Sequence, residues 1–379
     1  MHKLKNIVIA PDSFKGSVSS IEAANAVAEG LRRVIPDAEI VSIPMADGGE
    51  GTTEALLYSV GGELIPVEVT GPLGETVTAH WARLSNGAAV IEMASASGLP
   101  LVPADRRDPG VTTTRGTGEL IRAALDSSCR RLLIGIGGSA TNDGGAGMAQ
   151  ALGVSLRDRH GSELSPGGLE LARLDTIDIS GLDPRLAECE IMVASDVTNP
   201  LTGPLGASAV YGPQKGATPE QVVELDAALL NYREKLTAVF GRDIGAMPGA
   251  GAAGGLGAGL AAFCGAELRS GISLVLELSG AEELISKADL VITGEGKTDA
   301  SSAMGKVPSG IGALAKRFGV PVVCLTGCAD ESARELYGLG VSAVMPISDR
   351  PMTLDYSMRN AAALLSSTAE RLARLLTIK

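Results

Sequence analysis

The sequence predicts an α/β protein with a parallel sheet built from both chain ends and a second α/β region between them. Hydrophobic residues make up 45% of the 379 residues, aromatic residues only 3%, and 49 residues are glycine, a composition that favours close packing of helices against sheets. Apolar runs followed by polar turns and helical patterns occur at both ends, whereas hairpin signals begin after residue 66. We therefore expect one domain from residues 1–65 and 287–379, and an inserted domain at 66–286.

Two strand–loop–helix units open the chain. Asn6–Ala10 and Glu39–Pro44 are the predicted strands, and a capping-box pattern at Ser19 and Glu22 starts the helix between them. Each strand runs into a polar loop. Consecutive units of this kind form a parallel sheet, in which ligands bind beyond the carboxyl ends of the strands.

The pattern changes in the middle of the chain. Extended segments are predicted at Val67–Val69, Val77–Leu84 and Ala88–Met93. Asn86-Gly87 is a strong hairpin signal between the last two. Farther along, Glu190–Ala194 is a predicted strand, and Gly249–Gly259 is predicted to be a glycine loop.

The simple strand–helix alternation returns near residue 289. Leu290–Thr293 is a predicted strand, followed by a loop at Gly294–Asp299 and a helix that begins near Val307. The last helix is predicted at about Asp355–Leu376, with an apolar side that covers the core.

A glycine-rich turn after the apolar run at residues 132–136 is the most distinctive stretch. Glycine amides and a following helix start can bind an anion. The groups expected to contact phosphates there are Gly137, Gly138, Ser139, Thr141 and Asn142. Asp143 suits this turn if Mg²⁺ lies between its carboxylate and the phosphates. The alternative is a tight turn in which Asp143 is a cap.

Composition excludes several classes of function. The formal net charge of −12 and the absence of a Lys/Arg run argue against nucleic-acid binding. The five cysteines are scattered, so neither disulfides nor zinc are indicated. Ile244–Ala266 is the longest uncharged stretch, but its Gly/Ala content favours a glycine loop and a buried helix over a membrane span. We expect a cytoplasmic monomer or homodimer with small-molecule partners.

Ten motifs resemble the bacterial glycerate kinase type I family over about Ile7–Val322, and the similarity continues weakly beyond. They are APDSFKGS, PMADGGEGT, VTGPLG, IEMASASGL, GTGEL, GIGGSATNDGG, DVTNPLTG, GPQKGAT, GAGAAGG and TGEGKTD…GKVP. The resemblance implies an ATP- and Mg²⁺-dependent kinase that converts D-glycerate to 2-phospho-D-glycerate. It also implies a flavodoxin-like domain from both chain ends and an inserted domain similar to the restriction-endonuclease fold.

Three residues depart from the family pattern. Lys297 replaces an expected arginine, and the two side chains are not equivalent anion ligands. Ser302 replaces an expected glutamine, and Arg115 stands where an aromatic or small residue is expected. These changes bear on substrate preference more than on the type of reaction.

Phosphoryl transfer needs cations near the triphosphate, carboxylates for a metal and a group that deprotonates or orients the attacking hydroxyl. The expected catalytic residues are Asp196, Asp299 and Lys15, and the expected metal ligands are Asp47 and Asp143. The expected substrate-binding residues are Ser13, Lys297, Thr298, Ser195 and Asn199, and Lys306 is expected at the nucleotide phosphates. Lys215 is a further candidate cation, although a solvated surface position is the stronger alternative for it than for Lys15 or Lys306.

Other functions stay open at this point. A kinase of the same fold could act on the 3-hydroxyl of glycerate or on a related short hydroxy acid. A protein of another class, a non-catalytic nucleotide or sugar-acid sensor or a flavodoxin-like redox protein, would share the fold. No complete P-loop is present, because Gly305-Lys306 is followed by Val307.

Overall fold

The computed structural model describes residues 4–378. Its strands are β1 (Asn6–Pro11), β2 (Glu39–Ser42), β3 (Gly62–Thr70), β4 (Thr76–Leu84), β5 (Ala89–Glu92), β6 (Arg131–Gly135), β7 (Ser155–Asp158), β8 (Leu174–Asp178), β9 (Glu190–Ala194), β10 (Glu267–Arg269), β11 (Leu290–Thr298), β12 (Val322–Ala329) and β13 (Ala343–Pro346). Its α-helices are α1 (Ser20–Arg32), α2 (Thr52–Val60), α3 (Ala94–Ser97), α4 (Arg115–Asp126), α5 (Ala146–Ala151), α6 (Ala207–Tyr211), α7 (Pro219–Phe240), α8 (Ala252–Phe263), α9 (Gly271–Ser279), α10 (Ala281–Ser286), α11 (Val307–Phe318), α12 (Glu335–Gly338), α13 (Leu354–Arg359) and α14 (Ala361–Leu376).

The chain forms two compact units. The terminal unit contains residues 4–47, 54–61 and 270–378, and the inserted unit contains residues 48–53 and 62–269. Helices α9 and α10 group with the terminal unit by their contacts. The domain limits expected from sequence, at 65/66 and 286/287, stay a prediction.

The terminal unit is built on a five-stranded sheet in the order β13-β12-β11-β1-β2. All of its strand pairs are parallel. Its central strands are apolar and buried, as parallel strands covered by helices require. The capping box at Ser19 and Glu22 is confirmed at the start of α1. Gly30 lets α1 approach α14, because a Cβ there would clash with the carbonyl oxygen of Ser366.

One strand of this sheet is longer than expected. The segment Gly294–Thr298, predicted as a loop, continues β11 and pairs with β12 as far as Thr298 and Ala329. That prediction was wrong because the glycines serve close strand pairing rather than a turn. A Cβ at Gly294 would clash with the carbonyl oxygen of Leu325, and one at Gly327 with that of Gly296.

The inserted unit has a six-stranded mixed sheet in the order β10-β9-β6-β5-β4-β3. The antiparallel pairs β3/β4 and β4/β5 confirm the predicted hairpins, with Gly87 in the left-handed conformation of the turn. The pairs β5/β6, β6/β9 and β9/β10 are parallel. The carboxyl ends of β6 and β9 therefore lie side by side, and the loops that follow them share one edge of the sheet.

Two other local predictions need correction. Gly249–Gly259 is not a loop throughout, because α8 begins at Ala252 and, after a non-helical stretch at residues 253–255, continues as a helix through Gly259. Gly259 packs where a Cβ would lie 2.6 Å from the carbonyl oxygen of Gly144. The last helix is interrupted at Asn360, which separates α13 from α14. No helix among residues 4–378 combines the length and apolar character needed to cross a membrane.

Candidate active site

A pocket of about 520 Å³ lies in the terminal unit, at the carboxyl ends of its parallel strands. Its walls come from segments at or after β1, β2, β11, β12 and β13, which is where parallel sheets bind ligands. The residues expected from sequence that line this pocket are Ser13, Lys15, Asp47, Lys297, Asp299 and Lys306. Side chains separated by almost 300 positions in sequence thus meet in one cavity.

Asp12 lines the same pocket and was missed by the sequence analysis. Its side chain accepts a hydrogen bond from the amide of Ser13 at 2.7 Å, and the residue is only 6% exposed. Burial, reinforced by the nearby charge of Asp47, raises the pKa of Asp12 to about 7, while Lys15 acts in the opposite direction. The sequence signal that could have identified Asp12 is its position directly after β1, because other candidate residues also follow strands.

Glu295 is a second buried carboxylate in this pocket. Burial raises its pKa, while hydrogen bonds from Ser302 and Thr298 oppose the shift. Its Oε1 has no hydrogen-bond partner within residues 4–378. Thr298 is fully buried and holds Glu295 rather than lining the pocket. Ser302, one of the departures from the family pattern, therefore supports a carboxylate of the site.

Asp299 belongs to a network of polar contacts at the pocket wall. Its carboxylate accepts hydrogen bonds from the amide and hydroxyl of Ser301 and pairs with Lys297 at 2.9 Å. Lys306 donates to the Ser301 hydroxyl at 2.7 Å. The Ser301 hydrogen bond and the Lys297 charge hold the pKa of Asp299 well below its usual range. Such a carboxylate is a weak proton acceptor.

The glycine-rich loop after β6 belongs to the inserted unit, and its acidic residue is enclosed. Asp143 is 1% exposed and accepts hydrogen bonds from Thr114 N at 2.8 Å, Thr114 Oγ1 at 2.9 Å, and the amides of Gly145 and Gly147 at 3.2 Å. Burial raises its pKa, and these bonds oppose the shift. The carboxylate thus occupies two amides at the start of α5, as the capping alternative requires.

Lys215 fixes the middle of this loop. Its Nζ donates to Ser139 Oγ at 2.7 Å and to the Thr141 carbonyl at 2.6 Å. The residue is 2% exposed, so the alternative of a solvated surface position is excluded. Burial lowers the pKa of Lys215 to about 7, against the attraction of Asp143.

The outer part of the same loop remains accessible. Gly137 and Gly138 are exposed, whereas Thr141 and Asn142 are fully buried. Within the described chain, Thr141 Oγ1 and Asn142 Oδ1 have no hydrogen-bond partner. Direct contact of a ligand with these two atoms would require the loop to open.

The loop after β9 carries three further candidates. Asn199 accepts a hydrogen bond from the Tyr211 hydroxyl at 2.7 Å and donates to the Leu205 carbonyl at 2.8 Å, so its amide holds the loop. Asp196 is exposed. Ser195 Oγ is buried and has no hydrogen-bond partner in the described part of the chain.

The glycine segment at the start of α8 contacts both loops. The amide of Gly144 donates to the Gly254 carbonyl at 3.0 Å, and the amide of Gly251 donates to the Asn199 carbonyl at 2.9 Å. Gly254 has a φ of 68°, and a Cβ there would clash with the Thr141 carbonyl oxygen. The segment thus fixes both loops at the carboxyl edge of the inserted sheet.

The family model for the glycerate kinase family matches residues 7–377. The chain belongs to this family. A protein named glycerate 2-kinase from Escherichia coli K12 is 51% identical over 98% of both chains. Glycerate kinase from Bacillus subtilis 168 is 49% identical over 97% of this chain and 96% of its own.

A solved structure agrees with this assignment. The structure of a glycerate kinase 2 from Salmonella typhimurium LT2 has a TM-score of 0.90 and 49% identity over 99% of this chain and 98% of its own. The family match extends over both units, and it therefore includes the residues of the pocket and of the loops after β6 and β9. This protein is therefore an enzyme, a kinase of mixed α/β architecture.

Arg115 has a structural explanation within this family member. It lies in the first turn of α4 and pairs with Glu119 at 3.3 Å. Glu119 in turn accepts a hydrogen bond from the amide of Thr70 at 2.6 Å. This departure from the family pattern therefore supports the junction between α4 and β3.

Proposed function

We propose that this kinase transfers the terminal phosphoryl group of ATP to the 2-hydroxyl of D-glycerate, giving 2-phospho-D-glycerate, with Mg²⁺ as the metal. The observation that carries the proposal is the pocket in which Lys15, Lys297 and Lys306 meet the carboxylates of Asp12 and Asp47. Lysines neutralise phosphate charge, and carboxylates accept a proton or a metal. The name of the Escherichia coli relative supports the choice of the 2-hydroxyl.

The pocket residues fit a magnesium ion. Asp47 and Glu295 both line the pocket, and Glu295 Oε1 lacks a hydrogen-bond partner among the described residues. Residues 4–378 contain no group of three His, Cys, Asp or Glu side chains arranged to hold a metal by themselves. Mg²⁺ in kinases is commonly held by one or two carboxylates together with substrate phosphates. Bound there, it would neutralise charge on the phosphates.

Asp12 replaces Asp299 as the proposed base for the glycerate hydroxyl. A base works best when its pKa is close to the working pH, and the pKa of Asp12 is raised to about 7. Asp299 has the opposite shift and instead holds Lys297 and Ser301. The role of Asp196 as an alternative base stays a prediction.

Lys15 and Lys306 are the proposed ligands of the transferred phosphate. Lys306 directly precedes α11, which has no side-chain cap within residues 4–378, so the helix dipole adds to the positive field. Lys297 is paired with Asp299 and can exchange this carboxylate for an incoming anion. Ser13, whose amide is held by Asp12, is the proposed hydrogen-bond donor to the glycerate.

We assign the inserted-unit residues mainly to organising loops. Asp143 holds the start of α5, so we now place it outside the metal site. Lys215 holds Ser139 and Thr141 in place, and Asn199 holds its own loop. Contacts of Gly137 and Gly138 with phosphate, and of Ser195 with substrate, stay predictions.

The strand order supports the flavodoxin-like part of the fold proposal. Counted within the terminal unit, β2-β1-β11-β12-β13 is the order 2-1-3-4-5 found in flavodoxin-like sheets. The restriction-endonuclease-like description of the inserted unit stays a prediction. The cytoplasmic location and the monomeric or homodimeric state also stay predictions.

Release of ADP from the purified protein tests the reaction. We expect release that needs ATP, D-glycerate and Mg²⁺ together. ADP release that does not change when D-glycerate is omitted would contradict the proposal, and so would full activity in excess EDTA.

A further inference from the structure

The terminal-unit pocket has two chemically different ends. Its apolar end is formed by Ile347, Leu354, Met358 and Ala361, which follow β13. A second, acidic part is formed by Asp12 and Asp47, which follow β1 and β2. Ile347 follows the edge strand β13, Asp47 follows the opposite edge strand β2, and Lys297 lies on β11 between these strands.

The apolar end is open to solvent and contacts the loop after β1. Helix α13 has no buried residue, and Leu354 is 75% exposed. The hydroxyl of Ser17 donates to the Met358 carbonyl at 2.5 Å. Gly16 has a φ of +74°, and a Cβ there would lie 3.1 Å from Met358 Cε. This contact positions Met358 at the pocket wall.

We propose that the apolar end binds the nucleobase of ATP, and that the triphosphate runs along the sheet edge past Lys297 and Lys306 toward Asp12 and Asp47. The inference rests on the proposed function, which it extends by locating the nucleotide. It moves the nucleotide from the glycine-rich loop after β6 to the terminal unit. The pocket offers apolar side chains for a base, lysines for phosphates and carboxylates for the reacting centre, which are the groups that a nucleotide and a hydroxy acid together require.

A bound glycerate alone does not account for this pocket. A volume of about 520 Å³ lies in the range of sites that enclose drug-sized ligands, about 300–1,000 Å³. Glycerate has three carbons, each bearing oxygen, and offers almost no apolar surface to Ile347, Leu354 and Met358. A purine offers a flat apolar face, and stacking it against these side chains removes apolar surface from water.

Calorimetric titration with ADP and, separately, with inorganic tripolyphosphate tests the assignment without turnover. The test protein carries Leu354→Gln and Met358→Gln, which add no charge. Each substitution removes apolar contact with the base, so we expect the ADP affinity of this double variant to fall about tenfold or more. Tripolyphosphate affinity should stay within about twofold, because the lysines are untouched. The matched control is Leu375→Gln, an exposed leucine of α14 in the same unit but outside the pocket.

Three outcomes would overturn the assignment. These are unchanged ADP affinity in the double variant, an equal loss for ADP and tripolyphosphate, and a loss of the same size in the Leu375→Gln control. Kinetics separate this failure from failure of the proposed reaction. A rise in KM for ATP without a rise in KM for D-glycerate supports the site, whereas normal KM values in an active double variant would reject the site and leave the kinase reaction standing. Wild-type protein that binds ADP in this way but does not phosphorylate D-glycerate would keep the site and reject the reaction.

Discussion

Replacing Asp12 with asparagine should make the metal-free protein more stable at pH 8 while removing most of its activity. In the folded protein the pKa of Asp12 is raised from 3.8 to about 7, chiefly by burial and then by Asp47, with Glu295 contributing in the same direction and Lys15 opposing it. The folded state therefore keeps a proton that the unfolded state releases. Stability is lost as the pH rises from about 4 to 7, and the ionised carboxylate carries its full cost above that range.

The size of the effect follows from the two pKa values. Their difference of about three pH units corresponds to roughly 4 kcal/mol at most, since one unit is about 1.4 kcal/mol. If half of this is realised, about 2 kcal/mol, the melting temperature should rise by roughly 4–8 °C in a unit of this size. Asparagine keeps the side-chain oxygen that accepts from the Ser13 amide, so no hydrogen bond has to be lost.

Thermal melts in EDTA between pH 4 and 8.5 measure this difference. The gain of Asp12→Asn over wild type should grow with pH and level off above pH 7. The control Asp37→Asn removes an exposed carboxylate of the same unit and should follow the wild-type profile. In the kinase assay, loss of the proposed base should lower kcat by roughly 10²–10⁴-fold. A melting temperature of Asp12→Asn below that of wild type at pH 8, or a gain independent of pH, would refute the reasoning.

Four further substitutions separate the proposed roles. Asp47→Asn should raise the Mg²⁺ concentration for half-maximal activity, and its activity should recover in part with excess metal. Asp143→Asn should leave this Mg²⁺ concentration unchanged and lower the free energy of unfolding in urea by about 1–3 kcal/mol. The reverse pattern would return Asp143 to the metal site. Asp299→Asn should lower kcat less than about tenfold, since its carboxylate is a weak base; a loss comparable to that of Asp12→Asn would contradict this. Lys215→Met should destabilise by about 1–3 kcal/mol, because it leaves the buried Thr141 carbonyl without its donor, and an unchanged urea midpoint would show that the bond contributes little.

Local sequence patterns predicted the elements whose signals are local. The capping box of Ser19 and Glu22 and the hairpin turn at Asn86-Gly87 each depend on residues a few positions apart, and both are present. The segment Gly294–Thr298 was misjudged because its pairing with β12 depends on residues about 30 positions away. Glycine marks both tight turns and close strand contacts, and sequence alone does not distinguish them.

The candidate site also divides into features that a sequence pattern predicts and features that depend on the folded chain. The rule that ligands bind at the carboxyl ends of parallel strands led to Lys15, Asp47 and Lys306, which do line one pocket. Burial was not visible in the sequence, and burial distinguishes Asp12 from Asp299 and makes Lys215 an internal residue. The environment of a carboxylate or lysine depends on the folded chain around it, which residue type and spacing do not record.

The regiochemistry of phosphoryl transfer tests the central claim most directly. The purified kinase is supplied with D-glycerate, ATP and Mg²⁺, and its product is coupled through enolase with no phosphoglycerate mutase present. Enolase consumes the 2-phosphorylated product, so the account predicts a signal without mutase and no increase in the final yield when mutase is added in the absence of 3-phosphoglycerate. A signal that appears only after addition of the mutase would show that the phosphate is placed on the 3-hydroxyl and would contradict the account.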